Sequence, residues 1–67
     1  MRETTYVDLD VGTILKETDL AFLFLTDDGD EIWVPKSVIE HADDYDEGDE
    51  NKTISIAEWW MEKEGHL

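Results

Sequence analysis

Carboxylates are the side chains of this sequence that could do chemistry, and they are concentrated in two segments. The first is a turn-like run containing Asp27, Asp28 and Asp30. The second contains six acids in eight residues, namely Asp43, Asp44, Asp46, Glu47, Asp49 and Glu50. Such segments could bind a hard cation such as Ca²⁺, supply paired acid and base groups, or present negative charge to a basic partner.

Calcium binding can be tested by spacing. An EF-hand loop requires Gly at position 6 and a bidentate Glu at position 12. Counting from Asp44 puts Gly48 at position 5 and Ser55 at position 12. Counting from Asp43 places Gly48 correctly but puts Ile54 at position 12. The sequence therefore predicts no specific calcium site.

Catalytic function is also not predicted. Acid and base work by two carboxylates requires a pocket that shifts one pKa, and these acids lie in loops of a chain of only 67 residues. His41 and His66 are the only imidazoles, and there is no cysteine. No glycine-rich phosphate loop is present. We expect neither an enzyme, nor a metal site, nor a cofactor.

The overall charge limits the partners. Asp and Glu number 19 against 5 Lys and Arg, which gives a formal net charge of -14. Nucleic acids and anionic membranes would repel this chain, so no direct binding to either is expected. The first residues lack the apolar region of a secretory signal, which predicts a cytoplasmic location. Residues 1–67 are expected to form one acidic domain, stabilised by salt, a dimer partner or a bound basic protein.

The elements that position the acids are mostly strands. Residues 5–11 alternate apolar and polar side chains, as a half-buried strand does, and Gly12 breaks the alternation with a bulge. Residues 20–26 are apolar on both faces, which indicates a central strand. Residues 31–34 form the returning strand of a hairpin whose turn holds the first acidic segment. Asp27 and Asp28 are expected to stabilise that turn by bonding their own backbone. Pro35 ends this hairpin, and residues 36–41 are expected to form a single helical or 3-10 turn.

A short helix is predicted near the C-terminus. Ser55 and Glu58 have the spacing of a capping box, with Ile54 and Trp59 placed as a hydrophobic staple. The helix should run from about residue 56 to residue 64, with Gly65 at its C-terminal cap. The expected fold class is α+β. It consists of a small antiparallel sheet or an SH3- or OB-like partial barrel with this helix packed on it, and an open β-β-β-α layer is the alternative.

Three tryptophans could serve as core or as partner contacts. Trp59 is expected in the core, as the staple residue. Trp60 lies about 100° around the helix from Trp59, so both cannot point to the centre of one small core. Trp60 is therefore open between the core and a partner contact. Trp33 faces opposite to its strand neighbours and is expected on the outer face, where it could contact a partner.

The segment Ile32-Trp33-Val34-Pro35-Lys36-Ser37, followed by Ala57-Glu58-Trp59 and Gly65, resembles small phage- and prophage-encoded proteins. Those proteins carry a Trp-(Val or Ile)-Pro-x-Ser segment and end in a Pro-Glu-Trp-type helix closed by Gly. The resemblance implies a mobile-element origin and a compact β-rich domain. This sequence departs from it at Ala57, where Pro is common, and in a longer and more acidic central loop.

The acidic excess has three interpretations: a solubilising surface, adaptation to high salt, or an acidic decoy for the basic nucleic-acid groove of another protein. In the decoy interpretation both acidic segments stand in for backbone phosphates, the loop at 43–50 more strongly than the turn at 27–30. Asp8 and Asp10 add a row about 6.6 Å apart along one strand face. The phage-like resemblance favours the decoy, because phages encode acidic inhibitors of CRISPR and restriction systems. The predicted function is therefore a non-enzymatic, DNA-mimicking inhibitor whose partner is a basic nucleic-acid-binding host protein. The alternative is a salt-adapted structural or accessory phage module.

Overall fold

The computed structural model describes residues 4–66, which form one four-stranded antiparallel sheet and a short helix. The strands are β1 (Tyr6–Glu17), β2 (Ala21–Thr26), β3 (Glu31–Pro35) and β4 (Glu50–Ala57), and helix α1 spans Glu58–Lys63. Their order across the sheet is β3-β2-β1-β4. The expected small antiparallel sheet with one C-terminal helix is confirmed.

Strand β1 is shared between two ladders that overlap only briefly. Its pairing with β4 runs from Tyr6 to Thr13, whereas its pairing with β2 begins at Val11 and continues to Glu17. The register with β2 shifts between Val11 and Thr13, so the bulge predicted at Gly12 is confirmed. A Cβ on Gly12 would lie 3.4 Å from the carbonyl oxygen of Leu25, so the two backbones approach closely here. The bulge lets one strand serve both halves of the sheet.

The sheet is not a closed barrel. After β3, a 3-10 turn at Lys36–Val38 carries the chain across the core to the far side of β4. There Ile39 forms an isolated bridge with Ile56, and the Glu40 N–H donates to the Ser55 carbonyl oxygen at 2.9 Å. This contact does not extend into a ladder, so β3 and β4 remain the edges of an open sheet.

The core lies on one face of the sheet, under the helix and the 3-10 turn. Its buried members share that face or close over it, and they are Val11, Ile14, Phe22, Phe24, Val34, Val38, Ile39, Ile54, Ile56, Ala57, Trp60 and Met61. Leu23 is also buried although it points to the other face. Three consecutive buried residues in β2 confirm the central strand with two buried faces.

The predicted capping box is wrong. Ser55 belongs to β4, and its hydroxyl donates to the Asp8 carboxylate at 3.0 Å. Helix α1 begins only at Glu58, and its N-cap residue Ala57 makes no side-chain capping bond. Pairing of β4 with β1 extends to Ala57, and this long-range ladder overrides the local capping signal.

The C-terminal end of the helix agrees with the prediction. Gly65 has a φ of 78°, the left-handed conformation that a C-terminal cap requires. The Gly65 N–H donates to the Glu62 carbonyl and the His66 N–H donates to the Met61 carbonyl, which is the hydrogen-bond pair of a Schellman motif. Within residues 4–66, no helix has the length and apolar character needed to cross a lipid bilayer.

The prediction that Trp59 lies in the core is wrong, and Trp60, whose role the sequence left open, lies there instead. Trp60 is only 7% exposed and belongs to the core, whereas Trp59 is 55% exposed. The delayed start of the helix rotates its buried face from Trp59 to Trp60 and Met61. Trp60 is therefore a core residue and is not placed as a partner contact. Trp33 is 50% exposed on the outer face of β3, as predicted.

Candidate acidic binding site

The β2–β3 turn presents its carboxylates without using them to fold. The Thr26 N–H donates to the Asp30 carbonyl, and the Gly29 N–H donates to the Thr26 carbonyl. The Thr26 hydroxyl also accepts from the Asp30 N–H at 3.2 Å. The side chains of Asp27 and Asp28 make no hydrogen bond within the described residues, so the prediction that they stabilise the turn is wrong. Because Gly29 (φ 91°) and Thr26 shape the turn, its acids are free for other contacts.

These turn acids surround a recess of about 370 Å³ at the end of the β2–β3 hairpin. Its acidic wall consists of Asp10, Asp27, Asp28 and Asp30. Its apolar wall consists of Leu9, Ile32 and Met61, and Thr26 and the exposed His66 complete the lining. Such a lining suits a ligand that combines positive charge with an aliphatic stem, as a lysine or arginine side chain does. We refer to this feature as the recess.

Asp8 and Asp10 extend the acidic wall along the outer face of β1. Each carboxylate is held by a hydroxyl directly opposite on β4. The Ser55 hydroxyl donates to Asp8 at 3.0 Å, and the Thr53 hydroxyl donates to Asp10 at 3.1 Å. These bonds hold two negative charges in place on a strand. A fixed carboxylate loses less conformational entropy when a partner binds than a mobile one does.

The acidic loop at 43–50 is built differently. The Asp49 carboxylate accepts from the Asp46 N–H at 2.9 Å, and the Glu47 carboxylate accepts from the Glu17 N–H at 2.9 Å. The loop is further anchored to β1, because the Ile14 N–H donates to the Asp49 carbonyl and the Gly48 N–H donates to the Ile14 carbonyl, both at 2.8 Å. Two of its six predicted site residues therefore hold the loop in place. The others, Asp43, Asp44, Asp46 and Glu50, are exposed.

The structure thus separates the predicted acidic site residues into two groups. Asp27, Asp28 and Asp30 converge on the recess, whereas no residue of the loop at 43–50 lines it. Trp33 belongs to neither group, since it lies on the outer face of edge strand β3. The sequence-based site also omitted the apolar wall of Leu9, Ile32 and Met61. The alternating pattern predicted that Leu9 faces inward. It lies beside a recess because the pairing of β1 with β2 ends at Val11 and does not cover it.

Ion pairs among the described residues neutralise little of the negative charge. Lys36 forms an ion pair with Glu17 at 2.7 Å and lies 4.9 Å from the centre of the Phe22 ring. The hydrogen bond and charge of Lys36 hold the pKa of Glu17 below its ordinary value. Among residues 4–66, the Nε2 atom of His41 also lies 3.4 Å from the Glu40 carboxylate. No acid of the recess or of the loop at 43–50 is in an ion pair among the described residues.

In the part of the chain that the structure describes, no group of three or more His, Asp or Glu side chains is arranged to hold a metal ion. The acids of the recess are thus a source of negative potential rather than a coordination shell.

Comparison with protein-family models, with curated proteins and with solved structures finds no match to this chain.

Proposed function

We propose that this protein acts by binding, as a non-enzymatic acidic decoy that occupies the basic nucleic-acid groove of a host defence complex. The observation that carries the proposal is the recess, where Asp27, Asp28 and Asp30 meet Asp10 and none of the four is in an ion pair among the described residues. Concentrated unpaired charge beside an apolar wall favours a partner that supplies lysine or arginine side chains. The phage-like resemblance of the segment at 32–37 favours a CRISPR or restriction complex as the target.

The geometry supports phosphate mimicry in a second way. Asp8 and Asp10 form a fixed row on β1, and Asp10 joins that row to the acids of the turn. A basic groove that follows a nucleic-acid backbone meets a series of negative charges along a line. The strand and the turn present such a series, with no base edges to read. The decoy would therefore bind by charge and shape, and it would act in the host cytoplasm.

We also propose that the open sheet is a partial barrel of the SH3-like kind. Three features support this: the bulged β1 that serves two ladders, the 3-10 turn at Lys36–Val38, and the single bridge between Ile39 and Ile56. Together they curl the sheet toward closure without completing it. An experimental structure in which β1 pairs with one neighbour only would contradict this assignment.

Competition is the decisive experiment for the proposed function. The protein is used to capture its target from host lysate at low salt, and labelled DNA is then bound to the purified target. Wild-type protein should displace the DNA, and displacement should weaken steeply with salt because opposite surface potentials attract the two proteins. The variant Asp27→Asn/Asp28→Asn/Asp30→Asn should fail to displace it, although its fold is expected to be intact.

Two outcomes would overturn the proposal. A ternary complex of protein, target and DNA would show that the two do not share a groove. Salt-independent binding would point instead to an apolar contact, for which exposed Trp33 is the candidate. A chain that captures no basic protein, and that unfolds in dilute buffer but folds in molar salt, would favour the alternative of a salt-adapted phage module.

A further inference from the structure

The first half of β1 has an open backbone edge beside the recess. The Glu58 N–H donates to the Thr5 carbonyl, and this bond sets which residues of β1 turn their backbone groups toward β4. In an antiparallel ladder those residues alternate, so Val7 and Leu9 face β4 and the intervening residues face the other way. The N–H and C=O groups of Asp8 and Asp10 therefore point to the side where β2 would lie.

Strand β2 does not reach that far. Its ladder with β1 stops at the pair Val11 and Thr26, and the chain then turns away through residues 27–30. Among the described residues, the pairing of β1 with β2 includes neither Asp8 nor Asp10. The space next to this open edge is the part of the recess lined by Leu9 and Asp10. An exposed row of unpaired N–H and C=O groups is the template onto which an added strand pairs.

We propose that the recess binds an extended segment of the partner as an additional β-strand along Asp8–Asp10. The inference deepens the proposed function, on which it rests for the choice of a basic partner. Side chains of an added strand alternate between the two faces of the sheet. One set would meet Leu9, Ile32 and Met61, and the other set would meet the fixed carboxylates of Asp8 and Asp10. The segment should therefore alternate aliphatic and basic residues.

Charge selects this occupant over a second copy of the chain. Two copies would each bring a formal charge of -14, and pairing their β1 edges would place Asp8 and Asp10 against the same acids of the partner copy. A basic strand relieves this repulsion. It also meets the acids of the turn, whose side chains are not engaged in folding.

The test uses a synthetic peptide of alternating lysine and valine, blocked at both ends, with amide hydrogen exchange of the ¹⁵N-labelled protein as the readout. Binding should slow exchange of the Asp8 and Asp10 amides, which face away from β4 and lie outside the pairing with β2. Two N-methylated isomers of the peptide supply the control. Methyl groups on one set of alternate residues block pairing with β1, whereas methyl groups on the other set leave it intact. The pairing-competent isomer should bind at least about tenfold more tightly.

A variant of the protein gives a second measurement. Asp10→Pro removes the outward N–H without touching the β4 ladder, and Asp10→Asn removes the same charge but keeps the N–H. The peptide should bind the Asn variant more tightly than the Pro variant. If the Pro variant does not fold, the two peptide isomers on the wild-type protein still decide the question.

Two results would overturn strand addition along Asp8–Asp10. One is equal binding of both isomers. The other is protection of the Trp33 amide, on the free edge of β3, in place of the Asp8 and Asp10 amides. Loss of binding on neutralising Asp27, Asp28 and Asp30 in that case would leave the charge-based function standing. If the peptide binds as a strand but the protein captures no basic target from lysate, only the proposed function is rejected.

Discussion

The two acidic segments of this protein are alike in composition and different in construction. In the loop at 43–50, Asp49 and Glu47 use their carboxylates to hold backbone N–H groups. In the turn at 27–30, the backbone and the Thr26 hydroxyl form the turn, and the carboxylates are left free. The difference shows that acid density alone does not locate a binding surface. Carboxylates engaged in folding have a structural role that explains them, whereas free carboxylates that converge on a recess require another explanation.

Neutralising equal numbers of acids in the two segments tests this difference most directly. Asp27→Asn/Asp28→Asn/Asp30→Asn and Asp43→Asn/Asp44→Asn/Asp46→Asn remove the same number of charges. The first variant should lose about tenfold or more in affinity for the captured target, equivalent to about 1.4 kcal/mol, and the second should lose clearly less. Titration calorimetry at fixed ionic strength measures both. Equal losses would mean that only net charge matters and that the recess has no special role.

The structural role of the loop acids gives the next largest effect. Asp49→Ala removes the acceptor for the Asp46 N–H and should lower the free energy of unfolding by about 1 kcal/mol. Asp49→Asn keeps an acceptor oxygen and should cost less. Asp28→Ala should leave stability unchanged or raise it, because repulsion is relieved and no hydrogen bond is lost. Urea unfolding followed by circular dichroism compares the three, and an Asp28→Ala variant as unstable as Asp49→Ala would contradict the distinction.

Thr26 tests what holds the turn. Thr26→Val preserves the shape of the side chain and removes the hydroxyl that accepts from the Asp30 N–H, so it should cost about 1 kcal/mol or somewhat less. Thr26→Ser retains the hydroxyl and serves as the control. If Thr26→Val is harmless while Asp27→Asn destabilises the hairpin, the turn acids are engaged in folding after all.

The smallest expected effect is on the pH dependence of folding stability, through Glu17. Its pKa is lowered in the folded protein by Lys36, so the pair stabilises the fold above the ordinary glutamate pKa of 4.5. That contribution is lost as pH falls through the lower folded-state value. Glu17→Gln should remove this component, so its stability should fall less than that of the wild type below pH 4.5. Lys36→Met should likewise reduce the dependence of stability on pH. Thermal melts across this pH range provide the measurement.

Much of the fold was predictable because its strands have simple patterns. Residues before Gly12 alternate apolar and polar side chains, and β2 is apolar on both faces. Such patterns can be read within a single strand, and both predictions are confirmed. The helix start was not predictable from local signals. Ser55 and Glu58 have good capping chemistry, but Ser55 instead pairs with Asp8, 47 residues away. Long-range pairing of this kind is invisible in a local pattern, and the resulting shift of the helix start exchanged Trp59 for Trp60 in the core.

The candidate site was predictable only as a list of acids. Their types and clustering mark Asp27, Asp28 and Asp30, but nothing local distinguishes them from Asp49 or Glu47. The distinction depends on where the β1–β2 ladder ends and on which apolar side chains the helix brings beside it. Met61 lines the recess because helix α1 begins where β4 ends. That placement is a property of the assembled sheet and not of any single segment.

Sharing β1 between two ladders also has a kinetic consequence. Pairing with β2 joins residues close in sequence, such as Lys16 and Leu23, whereas pairing with β4 joins Leu9 to Ile54. Closing the longer loop costs more chain entropy before any contact is gained, so the meander of β1, β2 and β3 should assemble first. The first half of β1 must then wait, unpaired on both sides, until β4 arrives. During folding, the protein therefore exposes for a time the same short stretch of backbone that, once folded, keeps one side open.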